Sequence, residues 1–249
     1  FDPADAYYVP VRSFGKLRQT GPQIEVWDVE RFSASPAETQ TGNTIFAKGY
    51  ALWASLKQDE ERLEEAWDLI SRASSLDSNH VDVLMVNAML LRKEQRYREA
   101  LEICQRIAAQ RPNSYEVYEA MGVILDEIGA HKRAISAYRK SLQLNPERPV
   151  LYSNLAVAHR ALGDHQEAMS LWRRAIDLDP ECSIAHYYLG TAYYVSGDFP
   201  QALPYLERAI ELRPDDIRAH NNAASAARAA GQYRKAIQIW GKASKLDSL

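Results

Sequence analysis

The sequence predicts an all-α solenoid, a stack of paired helices, and three observations predict it. Alanine returns every 34 residues at Ala66, Ala100, Ala134, Ala168, Ala202 and Ala236. Twelve residues before each of these sits another small residue: Ala54, Ala88, Gly122, Ala156, Gly190 and Ala224. Four glycines (Gly129, Gly163, Gly197, Gly231) and four prolines (Pro112, Pro146, Pro180, Pro214) keep the same period. A fixed period of this length belongs to stacked repeats, in which each unit buries its apolar face on its neighbours.

Residues 115–148 show what one unit contains. Tyr118, Met121, Gly122 and Leu125 recur at helical spacing and predict a first helix. Gly129 ends it, because glycine enters the left-handed cap conformation without steric cost. Ala134, Ile135, Tyr138, Ser141 and Leu142 then form one face of a second helix. Asn145-Pro146 stops that helix, since the residue before proline disfavours the helical region. Small residues at the eighth and twentieth places let the two helices approach. Large residues fill the space beside them: Tyr118, Tyr152 and His186 at the fourth place, and Tyr138, Trp172, Leu206 and Trp240 at the twenty-fourth.

Length, small-residue pairs, turn glycine and terminal proline resemble the tetratricopeptide repeat (TPR) family. Six frames fit: 47–80, 81–114, 115–148, 149–182, 183–216 and 217–249. The first two are the weaker copies, with Glu61 and Gln95 in place of the turn glycine. The resemblance implies an all-α, right-handed TPR superhelix preceded by an irregular segment, residues 1–46. That segment holds Pro3, Pro10, Pro22 and Pro36 among Tyr7, Tyr8, Phe14, Trp27 and Phe32. So many aromatics argue against a solvated tail and for docking on the first repeat as a cap, or else for lying in the protein's own groove or gripping a partner. Ile24–Phe32 reads equally as a short strand or a helical turn.

Bulk properties exclude several function classes. The formal net charge is −3, with 30 basic and 33 acidic residues interspersed, so nucleic acid is not an expected partner. No apolar run approaches the ~20 residues that span a bilayer. Cys104 falls at a large-residue place and Cys182 in a connection two frames away, so no disulfide framework is expected. The chain begins at Phe1, which leaves localisation open between a cytoplasmic protein and a bacterial periplasmic or membrane-anchored one after signal removal. His186, His220 and His159 occupy packing places, and His80, His131 and His165 fall in connections or turns. With no metal-ligand, nucleophile or phosphate-loop spacing, neither an enzyme, a metal site nor a cofactor is expected.

The resemblance further implies that the first helices line a concave groove. Its candidate contact residues are Asn154, Val157 and Arg160 in the fourth frame, and Tyr187, Tyr188, Thr191 and Tyr194 in the fifth. The sixth adds Asn221, Asn222, Ser225 and Arg228. Ser153 is also expected on this face. Tyrosine supplies contact area at low entropic cost, and asparagine can both donate to and accept from a peptide backbone. Asn154 and Asn222 share the sixth place, as in the asparagine ladder of the O-linked sugar transferase branch. Leu52, Val86, Ala120 and Tyr188 interrupt that ladder here. The family's carboxylate clamp is not expected, because Glu119 stands where a lysine is required.

The expected function is a protein-interaction scaffold or adaptor that binds a peptide or partner protein in its groove. The setting that suits it is a bacterial secretion, pilus or envelope assembly. Two alternatives remain. One is the substrate-recruiting arm of a larger enzyme such as a glycosyltransferase. The other is a structural homo-oligomer joined through the terminal repeat, where Ile237, Trp240, Ala243 and Leu246 leave an apolar edge.

Overall fold

The computed structural model describes residues 19–20, 23–24, 43–44, 47–51 and 63–246. The chain divides into two compact units, Phe1–Val83 and Leu84–Leu249.

In the first unit, β1 (Gln19–Thr20) and β2 (Gln23–Ile24) pair antiparallel, with Gln19 opposite Ile24 and Thr20 opposite Gln23. Ile24 is thus in a strand, while residues 25–32 lie outside the described residues, as do the aromatics proposed to cap the stack. Residues 47–51 are helical and bury Ala47 and Ala51. Helix α1 (Leu63–Leu76) buries Ala66, Ile70 and Ala73, one residue per turn on one face. Thr44 Oγ1 donates to Asp77 Oδ2 at 3.1 Å just past the end of α1. Leu52 and Glu61 lie outside the described residues. Helix α2 (Val81–Lys93) runs through the boundary between the units.

The second unit continues with α3 (Tyr97–Gln110), α4 (Tyr115–Glu127), α5 (His131–Leu144), α6 (Pro149–Ala161), α7 (His165–Leu178) and α8 (Ser183–Val195). It ends with α9 (Phe199–Leu212), α10 (Ile217–Ala229) and α11 (Tyr233–Leu246). The four lattice glycines turn the chain with positive φ: 75° at Gly129, 87° at Gly163, 83° at Gly197 and 75° at Gly231. After each, a backbone N–H reaches five residues back, as in Ala130 N to Leu125 O (2.8 Å) and Asp198 N to Tyr193 O (2.9 Å). That is the Schellman closure of a helix end. Gln95 adopts the same geometry at φ 61°, and Arg96 N closes on Leu91 O at 2.8 Å. The degenerate copy therefore keeps the turn without the glycine, at a steric cost.

Small residues at the eighth place are required by close helix approach. A Cβ on Gly122 would strike the Tyr138 ring. One on Gly190 would lie 3.0 Å from Leu206 N and 3.1 Å from Ala202 O, backbone atoms that cannot swing aside. Opposite them Ala134, Ala168, Ala202 and Ala236 are buried. The twenty-fourth place holds the interior bulk: Cys104, Tyr138, Trp172 and Leu206 are fully buried. Burial pushes the Cys104 thiol up to about 11, as expected of an inert core cysteine. Cys182 precedes α8 and is also buried and free.

The fourth-place residues do more than pack. Tyr118 Oη donates to Pro112 O (3.1 Å), His186 Nε2 to Pro180 O (2.9 Å) and His220 Nε2 to Pro214 O (2.9 Å). Each ties a first helix back to the proline that ended the preceding repeat. These bonds require a proton on Nε2, and the buried Nδ1 of both histidines has no hydrogen-bond partner among the described residues.

Each helix of α4 to α11 packs on its chain neighbours. First helices also meet one another: α4 with α6, α6 with α8, and α8 with α10. Among the described residues the second helices α5, α7, α9 and α11 make no such contacts. First helices therefore crowd together on one side of the unit while second helices splay on the other. On α11, Tyr233, Ile237 and Trp240 are exposed, although Leu203 and Leu206, one repeat earlier, are buried.

Candidate functional site

The face built by α6, α8 and α10 centres on two tyrosines. Tyr188 stacks on the buried Trp172 of α7, with ring centroids 5.5 Å apart and planes 13° apart. Tyr187 meets Tyr188 edge-on at 5.1 Å. An arginine lies against each: Arg160, from the end of α6, over Tyr188 at 5.0 Å, and Arg218, from the start of α10, over Tyr187 at 5.3 Å. Such cation–π contacts hold a long side chain in place without neutralising it.

Asp216 organises the start of α10. Its carboxylate caps the helix, accepting from Arg218 N (3.0 Å) and Ala219 N (3.4 Å). It also accepts from the Arg218 guanidinium, Nε at 3.2 Å and Nη2 at 3.0 Å. Partial burial pushes this carboxyl up, but the Arg218 hydrogen bond and charge, with the capping N–H groups, outweigh it and leave it below the usual carboxylate range. Asn222 Nδ2 donates to Thr191 Oγ1 (3.0 Å) and to Tyr187 Oη (3.4 Å), and Thr191 Oγ1 donates to Tyr187 O (2.8 Å). These bonds lock α8 to α10 and fix the Tyr187 ring.

A cleft of about 220 Å³ opens here, with Asn154, Val157, Ile184, Tyr187, Tyr188 and Arg218 in its wall. Asn154 is half-buried, and its amide makes no hydrogen bond among the described residues.

The sequence-derived residues thus divide. Asn154, Val157, Tyr187 and Tyr188 line the cleft, Arg160 lies over Tyr188, and Thr191 and Asn222 brace the wall. Tyr194 turns toward Phe199, ring centroids 5.8 Å apart, at the turn into α9. Asn221 and Arg228 are exposed and Ser225 half-buried on α10. Ser153 is not on the face: it is fully buried, its hydroxyl 3.4 Å from Pro149 O and 3.8 Å from Cys182 Sγ, because the fifth place of α6 turns into the packed side of the helix. Asp216 and Trp172 were not anticipated as parts of the site. The aspartate directly before Ile217 is a legible cap signal, but its grip on Arg218 is a tertiary detail.

The neighbouring helix α4 also reaches the cleft, through Asp126. Glu119 pairs with Arg148 Nη2 at 2.7 Å, Glu127 with Arg92, and Asp126 with His131 Nδ1 at 2.6 Å. The buried His159 sits 3.1 Å from Asp164 Oδ2 through Nδ1. Among the described residues no group of three or more His, Cys, Asp or Glu is placed to hold a metal ion, and no helix is long and apolar enough to cross a membrane.

Helix pairs closed by Schellman glycines and proline stops, with one face built from first helices, define a helical repeat solenoid. The tetratricopeptide repeat family model matches residues 85–149, 153–217 and 189–248, and the chain belongs to that family. Among solved structures it is similar to PilF of Pseudomonas aeruginosa, at 16% identity and TM-score 0.71, over 80% of this chain and 90% of that one. MamA is 24% identical with TM-score 0.58, over 68% of this chain and 92% of that one. YrrB, described as a TPR protein with an unusual peptide-binding site, is 21% identical with TM-score 0.53, over 76% and 97%. These likenesses concern the fold. A search of curated protein sequences found no match.

Proposed function

We propose that this protein is an interaction scaffold that holds an extended peptide segment of a partner along α6, α8 and α10, and that it is not itself an enzyme. The observation that carries the reading is Asn154. A half-buried amide that makes no hydrogen bond among the described residues, beside two fixed tyrosines, suits a peptide backbone better than it suits packing. Asn222 deepens the picture, since its N–H groups are committed to Thr191 and Tyr187 and only Oδ1 is left to accept. Val157, Arg160, Tyr194, Asn221, Ser225 and Arg228 complete the proposed contact set. YrrB's description supports a peptide site on this fold. The wider setting we propose is a bacterial secretion, pilus or envelope assembly.

Selecting binders from a displayed random-peptide library and titrating them calorimetrically tests this. Micromolar affinity is expected, about −8 kcal/mol. Asn154→Ala loses about 1 kcal/mol, the worth of one net hydrogen bond. A library that enriches no binder sinks the reading, as does affinity unchanged when Tyr187 and Asn154 are both alanine.

A second reading rests on α11. Tyr233 and Ile237 are about two-thirds exposed, at 65% and 68%, whereas Leu203, one repeat before Ile237, is buried. Self-association through this helix predicts a mass that rises with concentration in sedimentation and falls back to the monomer with Ile237→Asp.

A further inference from the structure

The charges on the proposed binding face are not those of the whole chain. The molecule is formally −3, with 33 acidic residues. Yet α6, α8 and α10, 13 residues each, contain no aspartate or glutamate at all. They carry Arg160, Arg218 and Arg228. The even mixing of charge along the sequence therefore conceals a cationic set of first helices; Asp126 and Asp216, which also lie in the cleft wall, are each paired, with His131 and Arg218.

Which of these charges are spent decides what the face can take. The carboxylates of α4 are all engaged within the protein. Glu119 meets Arg148, Glu127 meets Arg92, Asp126 meets His131, and Glu116 accepts from Ser114 Oγ at 2.7 Å. Arg218 is held by Asp216. Arg160 and Arg228, by contrast, make no ion pair among the described residues. Nor does Arg213, in the cleft wall. Arg160 is pinned over Tyr188 without a counter-charge, so its forked N–H edge is preorganised and unfilled. Arg160 and Arg228 hold the same place in first helices two repeats apart, α6 and α10, with α8 and its Tyr187–Tyr188 pair between them in the chain. A ligand carboxylate meeting either would replace water at a fixed donor rather than order a loose one.

From this we infer that the occupant of the groove is an acidic peptide segment, with Asp or Glu side chains flanking an apolar or aromatic residue that rests against Tyr187 and Tyr188. The inference rests on the peptide-binding reading above. Nucleic acid, the other polyanion, fits less well. It binds single-stranded by stacking bases on open aromatic faces along a continuous basic track. Here the rings are already engaged by Trp172, Arg160 and Arg218, and few free cations are present.

Fluorescence anisotropy with three labelled twelve-residue peptides provides the test. They share a central Phe-Leu pair and carry flanking Asp/Glu, Lys/Arg or Ser/Gln. The acidic peptide is expected to bind at least tenfold more tightly than the neutral one, and to lose most of that margin between 50 and 500 mM salt, as expected of solvent-accessible charges. Arg228→Glu, at an exposed position that makes no ion pair among the described residues, should remove several-fold of the acidic peptide's affinity and shrink its margin over the neutral peptide. Arg160→Gln should do the same, with circular dichroism confirming that the helices persist. Equal binding of all three peptides, or preference for the basic one, overturns the acidic assignment while the peptide site stands. Binding of none of them overturns both. Tighter binding of oligo-dT than of the acidic peptide replaces the peptide by a nucleic acid.

Discussion

At Gly190 two residue-level effects oppose each other. Alanine there would gain about 1 kcal/mol of helix propensity, but its Cβ would press on backbone atoms of Leu206 and Ala202 at 3.0 and 3.1 Å. Overpacking of this kind costs roughly 1–3 kcal/mol, so Gly190→Ala should lower the urea midpoint. Gly241, on α11 with nothing within 4 Å of its added Cβ, isolates the other term. Gly241→Ala should raise stability by about 1 kcal/mol. If both substitutions shift the midpoint the same way, the close approach of α8 and α9 is wrong. Gln95 gives the reverse case. Its φ of 61° is uncomfortable for a side chain, and Gln95→Gly should stabilise by roughly 0.5–1 kcal/mol after the extra freedom of the unfolded chain is subtracted. The lattice made Gly190 and Gln95 legible as positions. It did not reveal that the fourth-place His186 and His220 latch onto proline carbonyls, because a latch depends on ring orientation and the helical period reports only which face a residue shares.

Helix α10 carries the element-scale prediction. Asp216 caps it and grips Arg218, with its folded-state carboxyl held below the usual range. A depressed carboxylate pKa contributes stability that is full above the unfolded value, near ~3.9. That contribution is lost as pH falls through the lower folded value. Asp216→Asn keeps a competent cap but removes the charge, so it should cost roughly 0.5–1 kcal/mol at pH 7. The gap to wild type should close as the pH is lowered toward 3. A gap constant with pH would show that the Asp216–Arg218 pair contributes nothing electrostatic. At this scale the sequence was most readable: glycine turns, proline stops and the periodic apolar faces placed α3 to α11. Ser153 was misplaced because adjacent fifth and sixth places lie about 100° apart on a helix, so a small twist decides which faces outward.

Across the molecule, contacts in the second unit are nearest-neighbour, so stability should be graded along the stack instead of uniform. Hydrogen exchange should find α11, with Tyr233 and Ile237 exposed, faster than α6 to α8, whose interior holds the fully buried Trp172 and Ala168. Uniform protection across these helices would argue for one cooperative core. Ala168→Leu should cost roughly 1–3 kcal/mol by overpacking that centre. The cationic face was the part least legible in the sequence. Its arginines lie in helices 34 or more residues apart, and carboxylates near them in the chain, such as Glu119 and Glu127, are taken up in salt bridges with Arg148 and Arg92.

The central claim is that first helices, not second helices, meet the partner. The most direct measurement is amide chemical-shift mapping by NMR during titration with the Asp/Glu-flanked peptide. The account predicts shifts concentrated on α6, α8 and α10 around Asn154, Tyr187, Tyr188 and Asn222. Shifts confined to α5, α7, α9 and α11 would contradict it.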